Sequence, residues 1–182
     1  QQSGLESVTF ENGIALTEIP QKAFAGTKLT SVSLPANLEY IGAYAFANTT
    51  TLKTVTIPSG ELKEIGMSAF KGCSALSSIN FRGGLSVIGD SAFENTALTT
   101  VSFPGSITYI GVNAFKAAPL TSVNFANGPA TASLKIADGA FAGSKFPVVA
   151  LPSHLTELGS YNEPYNYYTV DTVFEGNTVL HT

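Results

Sequence analysis

Hydrophobic positions along the chain repeat in one frame, with successive repeats 22–26 residues apart. An Ala-Phe pair marks each repeat, an Ile stands five positions before the Phe, and an apolar residue follows five or six positions after it. A single repeat cannot bury all of these side chains, whereas stacked repeats bury them against one another. The pattern therefore predicts a solenoid. Its frame is set by Phe24, Phe46, Phe70, Phe93, Phe115 and Phe141.

The segment that follows each Phe reads L-x-x-V-x-L in outline, and it recurs seven times when the segment starting at Leu5 is included. Its V-x-L portion alternates apolar and polar residues, which predicts a short β-strand with one buried face. Proline follows four of these portions, and because it has no N–H it ends the ladder of a strand. We therefore expect seven short parallel strands on one face of the solenoid. The prolines that end them are Pro35, Pro58, Pro104 and Pro152.

The segment from Ile to Phe has apolar residues at positions i, i+4 and i+5, separated by small or polar residues. This spacing predicts a single α-helical or 3₁₀ turn with its apolar side facing inward. The expected fold class is therefore an α/β repeat solenoid, with short parallel strands on one face and short helical or 3₁₀ turns on the other.

Two stretches carry the whole repeat, LTSVSLPANLEYIGAYAF (29–46) and LTTVSFPGSITYIGVNAF (98–115). This pattern resembles the BspA-like, or Treponema pallidum type, leucine-rich repeats, and the resemblance extends over residues 5–159. It implies a right-handed leucine-rich-repeat superhelix. It also implies a bacterial cell-surface or secreted protein, since some members are adhesins that bind host matrix proteins or other cells. The stretch 81–85 departs from the pattern because it lacks the proline.

The polar residues inside the V-x-L strands point outward, because alternate residues of a strand face opposite sides. Seven strands about 4.8 Å apart give a face roughly 30 Å long. Its hydroxyls either bond to one another and to water, or form a shallow surface for a protein or glycan partner. A water-ordering grid is disfavoured because Ser and Asn break its regularity. The candidate partner-binding residues are Ser31, Ser33, Thr54, Thr56, Ser78, Asn80, Thr100, Ser102, Ser122 and Asn124.

The C-terminal part of the chain, residues 160–182, departs from the repeat. A Phe is due near position 163, but about eleven extra residues come first and the frame resumes only at Phe174. We expect one leucine-rich-repeat domain over residues 1–182, of about seven repeats, ending in a cap or a truncated repeat. The insertion is rich in Tyr, which suits either a cap or a binding surface. This candidate aromatic patch consists of Tyr161, Tyr165, Tyr167 and Tyr168.

The charge content narrows the classes of partner. Charged residues make up 12% of the chain, the net charge is −4, and Lys and Arg do not cluster. We therefore expect no nucleic-acid partner and no polybasic membrane patch. No apolar run approaches the length of a membrane span, so no membrane insertion is expected from this chain. The first residues, QQSGLESV, lack Met and a signal-peptide pattern, and we interpret them as a processed or cut start.

The side chains that could carry chemistry are few and scattered. His154 and His181 fall in different repeats, and no recognised catalytic or phosphate-binding motif is present. His154 follows a predicted strand, where a solvated surface position is expected. Cys73 takes the place held in other repeats by Thr27 or Thr49, which predicts a small packed residue. We therefore expect no catalytic residue, no cofactor and no metal site.

Together these features predict a non-catalytic repeat module, and the family resemblance implies that it is a cell-surface or secreted one. The resemblance also implies a role in protein binding or adhesion, with an extracellular-matrix or cell-surface protein as the partner, and the outward face of the strands is the expected contact surface. Two alternatives stay open at this point. One is a glycan-binding module that uses the Tyr-rich insertion, and the other is an architectural spacer that presents further domains.

Overall fold

The backbone of the protein forms a parallel-strand β-solenoid of about six turns in a computed structural model, which describes residues 4–11, 13–58, 60–129, 131–159 and 173–177. Twelve short strands follow one another along the chain. They are β1 (Glu18–Ile19), β2 (Ser31–Ser33), β3 (Tyr40–Ile41), β4 (Thr54–Thr56), β5 (Glu64–Ile65), β6 (Ser78–Ile79), β7 (Val87–Ile88), β8 (Thr100–Phe103), β9 (Tyr109–Ile110), β10 (Ser122–Phe125), β11 (Leu134–Ile136) and β12 (Leu155–Leu158).

The largest sheet is one that the sequence pattern did not predict. Seven strands pair in parallel in the order β1-β3-β5-β7-β9-β11-β12. In the first six, the paired residues include the recurring Ile and the residue before it, and in β12 Glu157 and Leu158 take these places. The next residue extends the ladder, as when the Gly89 N–H donates to the Ile65 carbonyl over 2.8 Å. The Ile side chains of this sheet point into the core, so it forms a continuous wall along the stack.

The V-x-L strands form two smaller sheets rather than one continuous sheet. One sheet is β2-β4-β6 and the other is β8-β10, and no ladder joins β6 to β8. The break falls beside the stretch 81–85, where the usual proline is missing. Within the described residues, strands form in five of the seven predicted segments, and the segments at 5–10 and 146–151 are not strands. The prediction of seven strands was therefore wrong at both ends of the stack.

The predicted helical turn is also wrong, because half of its N–H groups bond to the next repeat. Around Phe70, the N–H groups of Ala69 and Lys71 donate three residues back along the chain. The N–H groups of Ser68, Phe70 and Gly72 instead donate to the following repeat, Phe70 to the Ala92 carbonyl over 2.8 Å. A helix needs every interior N–H to bond locally, so this segment is not a helix. The segment, called the Phe turn from here on, instead forms a third column of hydrogen bonds between repeats, besides the seven-stranded sheet and the V-x-L sheets.

Residues with left-handed backbone allow successive N–H groups to alternate between bonds within the repeat and bonds to the next repeat. Wherever the structure describes them, the residues two before and two after the recurring Phe have positive φ, as at Ser68 (φ 55°) and Gly72 (φ 72°) around Phe70. Each such residue reverses the direction in which the next peptide group points, which interrupts any helix. The second position holds Gly, Asn or Ala throughout the described repeats. Its members are Gly26, Asn48, Gly72, Asn95, Ala117, Gly143 and Gly176.

Stacked aromatic rings fill the centre of the solenoid. Successive Phe rings lie with their centroids 5.1–5.7 Å apart, and the planes of most are within about 10° of parallel. Phe174 stacks on Phe141 at 5.7 Å, so the frame resumes after the insertion at the place expected for it. The rings from Phe46 to Phe141 are fully buried, each between two stacked neighbours, which gives the repeats one shared core.

Candidate functional site

The predicted partner-binding residues lie on the outer side of the two smaller sheets. Nine of the ten are exposed, and Ser122 is half-buried. The break between β6 and β8 divides them into two surfaces, with Asn80 just beyond the end of β6. The first hydroxyl patch consists of Ser31, Ser33, Thr54, Thr56 and Ser78. The second hydroxyl patch consists of Thr100, Ser102, Ser122 and Asn124.

The first hydroxyl patch is an ordered array. Parallel pairing places Ser31 beside Thr54 and Thr54 beside Ser78, and it places Ser33 beside Thr56. Neighbouring members of a row are therefore about 4.8 Å apart, the spacing of paired strands. The predicted continuous face of roughly 30 Å is replaced by two shorter arrays that do not share a ladder.

The outward hydroxyls do not bond to one another. In the described part of the chain, no side chain of either patch has a hydrogen-bond partner within the protein. Inward or lateral threonines behave differently, since the hydroxyls of Thr27 and Thr49 both donate to the Phe24 carbonyl over 2.9 Å. Outward hydroxyls without protein partners keep donors and acceptors available for a ligand.

Charged side chains occupy other surfaces of the solenoid. Glu39 on the seven-stranded side pairs with Lys63, whose ammonium lies 2.6 Å from the carboxylate. This hydrogen bond raises the pKa of the Lys63 ammonium above its usual value. Lys135 and Glu157 form a similar exposed pair at 2.6 Å. The hydroxyl patches contain no charged residue, so any recognition there rests on hydrogen bonding and shape.

His154 lies in the interior, which overturns the expectation of a solvated histidine. Its side chain is 6% exposed. Its Nδ1 accepts the Gly128 N–H over 3.3 Å, while its Nε2 has no hydrogen-bond partner among the described residues. The bond ties the loop after β10 to the loop before β12, because a glycine at 128 leaves room for the ring. Since loop residues carry no periodic pattern, nothing in the sequence around His154 distinguished a buried from an exposed site.

Cys73 is buried, and its side chain bonds to the Phe turn of the preceding repeat. Its Sγ donates to the Phe46 carbonyl over 3.0 Å, much as the Thr49 hydroxyl donates to the Phe24 carbonyl. Burial raises the pKa of the Cys73 thiol to about 12. The neutral thiol is the form that the folded protein holds, and the thiolate is the nucleophilic form. Cys73 therefore acts as a packing residue, as its position in the repeat predicts.

The buried thiol predicts a pH effect on stability. The folded state keeps the proton up to about pH 12, whereas the unfolded chain releases it near pH 9. The stabilisation is therefore complete below pH 9 and declines as the pH rises towards 12. Between pH 7 and pH 10 the unfolding free energy of the wild type should fall by about 1.4 kcal/mol more than that of Cys73→Thr. Urea unfolding of both proteins at pH 7 and pH 10 measures this difference, and a parallel decline would contradict it.

The aromatic patch predicted at Tyr161, Tyr165, Tyr167 and Tyr168 lies outside the described residues. Among the residues that are described, no three His, Cys, Asp or Glu side chains come together as ligands for a metal ion. The same residues include no helix of the length and apolar character needed to cross a bilayer.

These features define the class of protein. Short parallel strands, repeats of 22–26 residues and a shared Leu, Ile and Phe core make it a leucine-rich-repeat solenoid. A family profile described as BspA type Leucine rich repeat region matches six copies over residues 17–133. The chain belongs to this family, so the resemblance seen in the sequence is confirmed.

Solved structures with the same architecture come from several bacteria. The leucine-rich repeat protein of T. pallidum is 31% identical, with a TM-score of 0.68 over 82% of this chain and 69% of that one. A leucine rich cell surface protein from Faecalibacterium prausnitzii A2-165 is 28% identical, with a TM-score of 0.65 over 87% of this chain. A leucine-rich repeat protein from Bacteroides ovatus ATCC 8483 is 29% identical, with a TM-score of 0.55 over 72% of this chain.

The chain spans only 40% of the Bacteroides protein and 41% of the Faecalibacterium protein. A comparison with curated proteins finds no match.

Proposed function

We propose that residues 1–182 act as one non-catalytic repeat domain that binds a protein partner at the cell surface or outside the cell. The partner is an extracellular-matrix or cell-surface protein, and the binding serves adhesion. The contact is made by the first hydroxyl patch, with the second hydroxyl patch extending it along the solenoid.

One observation carries this proposal above the others. The exposed hydroxyls of the first hydroxyl patch stand in register on paired strands and have no hydrogen-bond partner within the described protein. A rigid array of free donors and acceptors loses little conformational entropy when a partner binds to it. Ser and Thr at regular spacing therefore favour recognition through many weak hydrogen bonds, without a dominant aromatic or Arg anchor.

The relatives support the cellular location. The Faecalibacterium relative is described as a cell surface protein, and the family has six copies of its repeat in this chain. A repeated, uncharged outer face also suits a surface that meets large partners rather than small substrates.

Arginine substitutions in the first hydroxyl patch test the proposal. Thr56→Arg combined with Ser78→Arg places two long charged side chains on neighbouring strands, where they block close approach of a partner. We expect at least a ten-fold loss of affinity for whichever proteins of an extracellular-matrix panel bind the wild type, measured by surface plasmon resonance.

The matched control is Thr50→Arg combined with Ser74→Arg. These residues are exposed, belong to the same two repeats and undergo the same chemical changes, but they lie after the Phe turns rather than on the strands. The control variant should bind as the wild type does. Equal loss in both variants, or no loss in either, would contradict binding through the patch.

Two other functions predict different results in the same assay. A glycan-binding module would give a signal on a glycan array that falls when Tyr165 and Tyr167 are changed to Ala. An architectural spacer would bind neither the protein panel nor the glycans.

A further inference from the structure

A cleft lies among the described residues at the first turn of the solenoid. It has a volume of about 1010 Å³ and separates residues 6–11 from strand β2 and the loop that follows it. The two walls meet at one end, where the Lys28 N–H donates to the Leu5 carbonyl over 2.8 Å. Beyond that bond, among the described residues, the segment 6–11 lies beside β2 without pairing to it.

Strand β2 presents an open edge to this cleft. The Thr30 carbonyl accepts a bond from Lys53 and the Leu34 N–H donates to Thr56, so residues of even number face β4. Backbone groups alternate in direction along a strand, and the N–H and C=O groups of Ser31 and Ser33 therefore face the cleft. Among the described residues, no backbone hydrogen bond joins these two residues to the segment 6–11.

Unpaired edge groups of this kind form a template for another strand. An extended polypeptide that enters the cleft can donate to and accept from Ser31 and Ser33 in the same pattern that joins β2 to β4. This mode of recognition takes its affinity from main-chain hydrogen bonds and its specificity from alternate side chains.

The walls of the cleft indicate which side chains it favours. The exposed Glu6 and Glu11 bring carboxylates to the rim, while Val8, Phe10 and Ile14 bring apolar surface. Of the described residues that line the cleft, none is Lys, Arg or His. A strand whose residues alternate between basic and apolar matches this arrangement, with ammonium or guanidinium groups at the rim and apolar groups inside.

We propose that the cleft accepts an extended, basic segment of a partner protein as an added strand on β2. This site is separate from the outward hydroxyl side chains, since it uses the backbone edge of β2. Its occupant is a polypeptide, because only a main chain supplies donors and acceptors at the repeat of a β-ladder.

An alternating lysine-valine hexapeptide, acetylated and amidated, is the probe that tests this proposal. Titrated into the ¹⁵N-labelled protein, it should shift the amide signals of Ser31, Ser33 and residues 7–10. Two control peptides carry N-methyl groups, one on the valine amides and the other on the lysine amides. Only one set of alternate amides, those of valine or those of lysine, can face β2. Methylating that set removes its donors and should weaken the affinity at least ten-fold, whereas methylating the other set should weaken the affinity less.

Protein variants separate the backbone from the side chain. Ser33→Pro removes the N–H that faces the cleft and should weaken the peptide at least ten-fold, whereas Ser33→Ala keeps this N–H and should bind normally. Ser102→Pro is the matched control, because the Ser102 N–H also faces an edge without a ladder but lies in the other sheet. Glu6→Gln with Glu11→Gln should weaken binding and reduce its dependence on salt.

Several results would overturn the proposal. Both methylated peptides binding equally well, or Ser33→Pro binding like the wild type, would exclude an added strand. Strong amide-exchange protection of Ser33 in the free monomer would mean that the segment 6–11 already fills the edge. Concentration-dependent dimers with the same shifts would identify a second copy of the chain as the occupant. None of these results bears on the arginine test of the first hydroxyl patch, which measures a different partner and surface.

Discussion

Replacing Phe93 by alanine is expected to lower the free energy of unfolding by about 3–5 kcal/mol. The ring is fully buried and is stacked between Phe70 and Phe115 at centroid distances of 5.2 and 5.1 Å. It also meets the edge of Phe81 at 5.5 Å. Its loss leaves a cavity in the middle of the stack, where rings on both sides are fixed by their own repeats and cannot close the gap. Denaturant unfolding monitored by circular dichroism measures the change.

Phe24→Ala provides the control at the end of the column. Phe24 is only half-buried and has one stacked neighbour, Phe46, besides an edge contact with Phe10 at 6.4 Å. We expect this change to cost less than half as much as Phe93→Ala. Equal costs for the two variants would contradict a core in which each ring depends on the repeats on both sides.

Gly89→Ala is expected to cost about 3 kcal/mol, although it adds a single methyl group. A Cβ at position 89 would lie 2.7 Å from the Met67 nitrogen and 2.8 Å from the Gly66 carbonyl carbon. Both atoms belong to the backbone of the preceding repeat, so neither can rotate away. The repeats must then move apart at the seven-stranded sheet, which breaks ladder bonds such as Gly89 N–H to Ile65. Thermal or urea unfolding gives the cost.

Gly83→Ala is the matched control for this steric effect. A Cβ at position 83 meets no atom within 4 Å, and the backbone there does not have positive φ. The variant should stay within about 0.5 kcal/mol of the wild type. If the two glycine variants were equally stable, close approach of repeats would not explain why Gly follows Ile in four repeats.

The sequence was sufficient to predict the repeat frame and most of the outward positions. Apolar residues at fixed spacing identify the buried side chains, because every repeat must present the same side chains to its neighbours. The alternation in TVSF likewise predicts strand β8 and the exposure of Thr100 and Ser102, and both predictions are confirmed. Whether the outward residues bind a partner stays a prediction.

The seven-stranded sheet was missed because its strands are too short to carry a pattern. Most contain two residues, and the residue before Ile varies among Glu, Tyr, Val and Lys. The helical turn was predicted because Ile and Phe at i and i+5 fit one face of a helix as well as they fit this turn. One signal could have excluded the helix, since Gly or Asn at positions such as 48, 72 and 95 marks left-handed backbone. Ser68 and Tyr44 gave no such signal.

The break between the two hydroxyl patches also follows from a local irregularity. Identical repeats would continue one sheet without limit, but β6 ends at Ile79 and β8 begins a new sheet at Thr100. The missing proline at 81–85 indicated a different loop, yet it could not indicate that the ladder stops there. Strand pairing depends on the relative position of two backbones, which no single repeat encodes.

Hydrogen bonds link the Phe turns of neighbouring repeats, so a column of backbone bonds continues past the break between β6 and β8. An NMR experiment that detects coupling across hydrogen bonds tests it directly. The Phe70 amide nitrogen should correlate with the carbonyl carbon of Ala92 in the next repeat, over the 2.8 Å bond. A correlation of Phe70 with Gly66, four residues back, would indicate an α-helical turn and would contradict the account.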